Sequence, residues 1–144
     1  MVILVDTNII IDFLMKRQPY MEDAVKIVSL CTEKKVKGYL AAHTVSNLFY
    51  ILRKEYSAPQ RREMLNALCK VFEISEIDKK KILAALENEN VSDFEDCLQM
   101  ECAIEVGAEY IVTRNLDDYA ISKITAIAPK DFLKLIEDQG GETN

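Results

Sequence analysis

The sequence predicts an α/β fold, a three-layer sandwich in which a central, mostly parallel sheet of four to five strands is flanked by helices. Short apolar runs alternate with longer segments whose apolar residues recur every three or four positions, a pattern typical of alternating strands and helices. The first run, VILV, is apolar throughout, like a strand that is buried on both faces. A chain of 144 residues, 49% of them hydrophobic, can form one domain with a substantial core.

Five segments have the composition of strands. They are rich in apolar, β-branched or aromatic residues and are bounded by glycine, proline or polar residues. In chain order they are residues 2–5, 39–42, 71–74, 110–112 and 124–128. The last of them decides between a sheet of four strands and one of five.

Seven helices are predicted between and after these strands. Thr44 is a candidate N-cap, Gly38 a candidate helix breaker, and Gly107 a suitable C-terminal stop. Ser92 and Glu95 have the spacing of a capping box at the start of the sixth helix. The helices are predicted over residues 8–15, 20–35, 44–52, from 59 onward, 78–87, 92–107 and 131–137, the last opened by Pro129.

The organisation of the chain indicates a single domain over residues 1–138, followed by a loose tail over residues 139–144. No apolar run reaches the roughly 18 residues of a membrane span, so no membrane contact is expected. The amino terminus has no basic flank or cleavage site typical of a signal peptide, and we expect a cytoplasmic protein.

Charge and the metal-binding residue types narrow the function. A net charge of −6 argues against a non-specific nucleic-acid coat, but not against an enzyme that holds a divalent metal among carboxylates. The single histidine, His43, argues against a histidine-based metal site or a Ser-His-Asp triad and is expected to be structural or on the surface. The cysteines match no common zinc spacing and are expected to be buried, reduced thiols; they are Cys31, Cys69, Cys97 and Cys102.

Polar residues follow three of the predicted strands. Asp6 follows the first strand, Asn47 lies in the helix after the second, and Asn115 and Asp118 follow the strand over residues 110–112. In open α/β sheets, ligands bind at the carboxyl ends of the strands, near the point where strand order reverses. We therefore expect these side chains to meet at one edge of the sheet.

Two further acids, Asp93 and Asp96, lie three residues apart on one face of the sixth helix. Carboxylates gathered at one place repel each other unless a cation lies among them, and oxygen ligands of this kind suit Mg²⁺ or Mn²⁺. Such a cation activates water and polarises a phosphodiester. A plainer alternative stays open for Asp6 and Asp93, which could serve only as acids at helix N-termini.

Four segments, taken together and in order, resemble the PIN domain family. They are DTN after the first strand, a threonine-led helix after the second, DFEDCLQ at the start of a helix, and IVTRNLDDY at the fourth strand. The resemblance extends from Val2 to about Phe132. It implies a ribonuclease fold that uses acidic residues to bind Mg²⁺ or Mn²⁺ and hydrolyse RNA, and that is common among the toxins of VapC-type toxin–antitoxin pairs.

The resemblance also assigns roles to individual residues. Asp6 and Asp96 match two core acids that bind the metal, and Asp93, Asn115 or Asp118 is expected to assist them, directly or through water. The residues expected to contact substrate are Asn8, Thr113 and Arg114. The partners implied are an RNA substrate, an antitoxin protein that covers the site, and a second copy of the chain in a homodimer.

Two positions depart from the family pattern. Many PIN domains have a glutamate where Asn47 stands, and the last motif often begins with an aspartate where Asn115 stands. Asparagine offers a carbonyl oxygen but no negative charge. The site could therefore have only two or three firm acids, which keeps open a catalytically weak or inactive PIN domain that binds RNA or protein.

Another enzyme class also places an aspartate after the first strand. Haloacid-dehalogenase-type hydrolases need a second aspartate two residues later, where this chain has Asn8. A receiver domain would need paired acids before Asp6, and none are present. Neither class fits the sequence as well as the metal-dependent nuclease.

The basic residues are scattered, and most are expected to be solvated. Four of them flank a predicted helix–turn–helix and are the preferred candidates for contact with RNA phosphates. They are Arg53, Lys54, Arg61 and Arg62.

Overall fold

The structure, a computed structural model, describes residues 1–91 and 93–142. Within these residues a single sheet has the strand order β3-β2-β1-β4-β5, and every neighbouring pair is parallel. Its strands are β1 (Val2–Val5), β2 (Lys37–Ala41), β3 (Glu73–Ser75), β4 (Tyr110–Val112) and β5 (Thr125–Ile127). The predicted α/β fold with a central parallel sheet is confirmed, and the sheet has five strands.

Helices cover both faces of this sheet. They are α1 (Thr7–Leu14), α2 (Met21–Thr32), α3 (Ala42–Ile51), α4 (Ala58–Val71), α5 (Lys79–Glu87), α6 (Phe94–Glu105) and α7 (Pro129–Glu142). Two short 3-10 helices, Leu52–Lys54 and Leu116–Tyr119, follow α3 and β4. None of the helices in the described ranges is long and apolar enough to cross a membrane.

The central strand β1 separates two hydrophobic clusters. Ile3 and Val5 pack into the larger cluster, with residues of α1, α2, α3, α4 and α7, while Leu4 packs into the other cluster, with residues of α6. All three side chains are fully buried, as the unbroken apolar run VILV predicts. Because β1 is fixed on both faces, the residue that follows it, Asp6, starts from a rigid position.

Gly38 was predicted to break a helix, and this is wrong. The preceding helix α2 ends at Thr32, and Gly38 lies inside β2. A Cβ atom at this position would lie 2.7 Å from Cys31 Sγ and 2.7 Å from the nearest ring atom of Phe72. The glycine therefore allows the helices over this face to pack directly on the strand backbone.

Two predicted N-caps also differ from the structure. Helix α3 begins directly after β2, with Ala41 at its N-cap, so that Thr44 lies buried within the helix. The predicted capping box begins at Ser92, which lies outside the described residues. The N-cap of α6 is Asp93, whose carboxylate accepts a hydrogen bond of 3.0 Å from the Asp96 amide, and α6 ends before Gly107, which has a φ of +66°.

The last helix is longer than predicted. Its apolar residues Phe132, Leu133 and Ile136 pack against the larger cluster, and the helix continues to Glu142. Residues 139–142, predicted as part of a loose tail, are therefore helical, because extending an anchored helix adds a hydrogen bond for each residue fixed. Residues 143 and 144 lie outside the described part of the chain.

All four cysteines are free, as predicted. Cys31, Cys97 and Cys102 are buried, but the prediction of burial is wrong for Cys69. Cys69 lies on α4 directly after Leu68, which faces the core, so its own side chain points outward.

The Gly38→Ala substitution is expected to lower the free energy of unfolding by about 1–3 kcal/mol, because the added methyl group overpacks the contact with Cys31 and Phe72. Urea denaturation measures the change. Gly140→Ala is the matched control, because a Cβ at Gly140 would meet nothing within 4 Å and alanine is the better helix former. A Gly38→Ala protein as stable as the native protein would contradict this account of β2.

Candidate active site

An acidic cavity lies at the carboxyl ends of the central strands. Asp6 follows β1, and its amide donates a hydrogen bond of 3.0 Å to the carbonyl of Val112, the last residue of the neighbouring β4. The strand order reverses between β1 and β4, which is where ligands bind in open α/β sheets. The cavity has a volume of about 300 Å³ and is lined by Asp6, Thr7, His43, Asn47, Tyr50, Ile51, Glu95, Asp96 and Gln99.

Asp6 is buried and held by short hydrogen bonds to both carboxylate oxygens. Oδ1 accepts from the Thr7 amide at 2.7 Å, which makes Asp6 the N-cap of α1, and Oδ2 accepts from the Thr113 hydroxyl at 2.7 Å. Burial raises the pKa of Asp6, and the hydrogen bonds from Thr113 and Thr7 act in the opposite direction. Asp6 is therefore an N-cap, as the plainer alternative proposed, but it also accepts a hydrogen bond from Thr113. The two contacts together fix the direction of this carboxylate.

Two residues predicted to contact substrate, Asn8 and Thr113, lie beside Asp6. The amide nitrogen of Asn8 is 3.5 Å from Asp6 Oδ2 and 3.5 Å from the Thr113 hydroxyl. Thr113 is fully buried, donates to Asp6, and accepts a hydrogen bond of 3.0 Å from the Asn115 amide. In this arrangement Asn8 and Thr113 orient the carboxylate, since Thr113 has no surface to offer a substrate.

A buried polar network that the sequence analysis missed surrounds the other side of Asp6. Gln99 Nε2 lies 3.4 Å from Asp6 Oδ1 and 3.3 Å from the Thr44 hydroxyl, which in turn is 3.0 Å from the Thr7 hydroxyl. Gln99 follows Asp96 by three residues, so helical spacing places both on one face of α6. That spacing was the signal that could have identified Gln99.

Asp96 faces the same cavity from the first turn of α6. Burial raises its pKa to about 7, and the negative charges of Asp93, Asp118 and Asp6 add to this effect. The hydroxyl of Tyr119 lies 3.5 Å from Asp96 Oδ1. Burial and the charges of Asp6 and Asp96 raise the pKa of Tyr119, so its phenol remains a proton donor between the two acids. The sequence analysis did not predict a role for Tyr119 in the site, although this residue ends the segment IVTRNLDDY.

The other predicted acids lie at the margin of this site. Asp93 caps α6 and Asp118 lies on the short helix after β4; both are exposed, and both line a second cavity, of about 330 Å³, that Asp96 shares. Across residues 1–91 and 93–142, no group of three or more histidine, cysteine, aspartate or glutamate side chains is arranged to hold a metal ion. Of the four acids predicted to bind or assist the metal, the structure therefore brings two, Asp6 and Asp96, to the first cavity, which Glu95 also lines.

The donor set nevertheless fits a hard divalent cation. Mg²⁺ is commonly held by one or two carboxylates and keeps several water molecules, and Asp6 and Asp96 supply two carboxylates at one cavity. Two buried amide oxygens, Gln99 Oε1 and Asn8 Oδ1, have no hydrogen-bond partner among the described residues. Oxygen donors of this kind favour Mg²⁺ or Mn²⁺ over softer metals.

The two asparagines that depart from the family pattern differ in their surroundings. Asn47 lines the cavity, and its amide nitrogen donates a hydrogen bond of 3.2 Å to Glu95 Oε1. Asn115 is exposed, and its backbone amide supports the hydroxyl of Thr113. An acid that the sequence analysis assigned to helix capping, Glu95, therefore lies opposite Asn47 at the cavity.

Arg114, predicted to contact substrate, forms a bidentate ion pair with a buried acid. Its Nε and Nη2 donate to the carboxylate of Asp12 at 2.7 and 3.2 Å, and its guanidinium lies 3.9 Å from the ring centroid of Tyr20. Asp12 is wholly buried on α1. The pair ties the loop after β4 to α1 and so holds Thr113 and Asn115 in place. A lone acid in the apolar run IIIDFL was the available signal.

His43 lines the acidic cavity as well. Burial lowers its pKa, although the charges of Glu95 and Asp93 act in the opposite direction, so the imidazole is neutral at pH 7. A neutral imidazole adds no positive charge to a cavity that is lined by three acids, Asp6, Glu95 and Asp96.

A family model of the PIN domain, built on sequences, matches residues 2–117 of the chain. A structure of VapBC2 from Rickettsia felis bound to a promoter DNA fragment is 18% identical, covers 89% of this chain and 98% of that chain, and has a TM-score of 0.67. VapBC-1 from nontypeable Haemophilus influenzae is 18% identical, covers 90% of this chain and 99% of that chain, and has a TM-score of 0.65. A toxin–antitoxin complex from Klebsiella pneumoniae is 21% identical, covers 88% of this chain and 96% of that chain, and has a TM-score of 0.66. These likenesses concern the fold. No curated protein matches the chain.

In buffer without divalent cations, Asp96 is expected to make the folded protein less stable as the pH rises. Folding raises its pKa from 3.8 to about 7, so the folded state binds this proton more tightly. The resulting stabilisation is fully present below pH 3.8 and is lost as the pH rises through about 7. Urea denaturation of the native protein and Asp96→Asn between these limits measures it. The difference in unfolding free energy, native minus variant, should fall with pH; a constant difference would contradict the raised pKa.

Proposed function

The chain belongs to the PIN domain family, and from this premise we propose that it is a divalent-cation-dependent endoribonuclease and the toxin of a toxin–antitoxin pair. The observation that carries the proposal is the convergence of Asp6 and Asp96 on one cavity. They come from β1 and α6, which are far apart in sequence, and the negative charge of Asp6 contributes to the raised pKa of Asp96. An arrangement that is unfavourable without a cation is the one expected of a cation site.

In this proposal Asp6 and Asp96 hold the cation, with Asp93 and Asp118 acting through their charge or through water. A bound Mg²⁺ or Mn²⁺ lowers the pKa of water and neutralises charge on a phosphodiester. Thr7 and Thr113 keep Asp6 fixed, so that little reorganisation is needed when the substrate arrives. Tyr119 donates towards Asp96 and so orients this acid at the cavity.

The partners follow from the same proposal. Similar structures include toxin–antitoxin complexes, which supports an antitoxin protein as the partner of this chain. The proposed substrate class is RNA, and the protein is proposed to act in the cytoplasm. The expected homodimer stays a prediction that sedimentation can test.

A second function is favoured by the two asparagines. With Asn47 and Asn115 in place of acids, and with no group of three metal-ligating side chains in the described ranges, the domain could bind RNA or a protein without cutting it. This candidate predicts that the native protein retains ligand binding but shows no cation-dependent cleavage.

The Asp6→Asn substitution is expected to reduce Mn²⁺-dependent cleavage of single-stranded RNA by at least about 100-fold, because it removes the charge of a proposed ligand and loss of an outer partner alone costs about 10–100-fold. The fold should survive, since asparagine still accepts the hydrogen bonds of an N-cap. Cleavage of a fluorogenic RNA and circular dichroism measure the two properties.

The control for this experiment is Asp138→Asn, which makes the same chemical change at an exposed position of α7. It should cleave at the native rate. Full activity in Asp6→Asn would exclude the proposed site, even if the protein proved to be a ribonuclease.

Asn47→Glu distinguishes the two candidate functions. If the missing acid silences the site, the variant should gain Mn²⁺-dependent cleavage that the native protein lacks, whereas Asn47→Gln, which retains the amide, should not. The ribonuclease proposal instead expects the native protein to cleave already. Cleavage by the native protein rules out the binding-only function; inactivity of both the native protein and Asn47→Glu, with RNA still bound, rules out the ribonuclease.

A further inference from the structure

Arginine and aromatic side chains form a cluster next to the acidic cavity. This arginine–aromatic cluster spans the end of α3, the short 3-10 helix that follows it and the start of α4, and consists of Phe49, Tyr50, Arg53, Arg61 and Arg62. Tyr50 itself lines the cavity, yet its side chain is among the most exposed large hydrophobic ones, at 63%. A ring that is this exposed contributes little to core packing, but it can stack against a ligand bound at the neighbouring cavity.

The cluster is held together by specific contacts. The guanidinium of Arg53 lies 3.6 Å from the ring centroid of Tyr50, and its Nη1 donates 2.9 Å to the Tyr50 carbonyl. Arg61 makes the same pair of contacts with the neighbouring aromatic residue, Phe49. Its guanidinium lies 4.2 Å from the ring centroid of Phe49 and donates a hydrogen bond of 2.7 Å to the Phe49 carbonyl. These contacts orient the arginines before any ligand binds.

The positive charges of the cluster are not neutralised. Among the described residues, no carboxylate lies within salt-bridge distance of Arg53, Arg61 or Arg62, although the chain as a whole carries a net charge of −6. Arg114 differs, since Asp12 occupies its guanidinium. In addition, Arg61 Nε is buried without an acceptor in the described part of the structure. Three arginines without a carboxylate partner, two of them oriented by hydrogen bonds to carbonyl groups, can bind an anion with repeated charges.

The combination of an exposed ring and free guanidinium groups matches a single-stranded nucleic acid. Single strands expose base faces that stack on aromatic rings and on arginine planes, while their phosphates bind the remaining donors. A duplex keeps its base faces inside the stack and would leave the ring of Tyr50 without a partner. An acidic protein segment could pair with the arginines, but it offers no flat face for the Tyr50–Arg53 stack.

We propose that the arginine–aromatic cluster holds single-stranded RNA against the acidic cavity. The Tyr50–Arg53 stack receives a base next to the phosphodiester at the cavity, and Arg61 and Arg62 bind phosphates of the adjoining backbone. The inference rests on the proposed ribonuclease function for the choice of RNA, but binding by the cluster does not require cleavage.

The test measures fluorescence anisotropy of a labelled single-stranded RNA in EDTA, where a cation-dependent nuclease cannot cut. Tyr50→Ala should weaken binding by about 5- to 150-fold, the range expected for loss of one base–aromatic stack, and Tyr50→Phe should restore most of it. Arg53→Ala should weaken binding, and Arg62→Ala should also reduce the slope of log affinity against log salt by about 0.7, the value for one phosphate contact on a single strand. Arg17→Ala, at an exposed arginine outside the cluster, is the matched control.

The outcomes separate this inference from the ribonuclease proposal. RNA bound through Tyr50 and Arg53 but not cut in Mn²⁺ would sustain the cluster and overturn the ribonuclease. RNA cut in Mn²⁺ with equal KM in native protein, Tyr50→Ala and Arg53→Ala would sustain the ribonuclease and overturn the cluster. Equal affinity for a duplex of the same sequence would overturn the single-strand assignment. A native protein that binds no RNA would also overturn the inference and leave an acidic protein segment as the ligand of this surface.

Discussion

A carboxylate buried at the end of a central parallel strand has to be satisfied by hydrogen bonds or by a cation, because an unpaired buried charge is costly. Asp6 is in this position. Its backbone is fixed by β1, and its two oxygens accept short bonds from the Thr7 amide and the Thr113 hydroxyl. These bonds orient the charge but leave the longer contacts, to Gln99 and Asn8, available for rearrangement. The rest of the site is arranged around this one group.

The elements that support Asp6 come from distant parts of the chain. Thr113 reaches it from the loop after β4, and the Asp12–Arg114 pair ties that loop to α1. On the other side of Asp6, Asp96 and Gln99 lie on one face of α6 and line the same cavity. The two acids thus lie on separate rigid elements, which is the arrangement that keeps a functional site precise. The arginine–aromatic cluster places positive charge next to this cavity. A protein with a net negative charge can therefore bind a polyanion there.

The fold and the two central acids could be predicted because their signals are local. An apolar run before Asp6 and a helix start before Asp96 are visible in a few residues of sequence. Gln99 and Tyr119 depend on which helix face and which loop meet in space, and the ion pair of Arg114 was missed because its partner Asp12 lies about 100 residues earlier, in another element. Thr44 shows a related limit: its residue type suits an N-cap, but β2 leads directly into α3 and places it inside the helix.

Calorimetric titration of the native protein and Asp96→Asn with Mn²⁺ tests the central claim most directly, that Asp6 and Asp96 form one cation site. The account predicts that the native protein binds Mn²⁺ and releases protons below pH 7, since the cation displaces the proton that Asp96 retains, and that Asp96→Asn binds much more weakly without this release. Absence of binding to the native protein, or unchanged binding and proton release in Asp96→Asn, would contradict it.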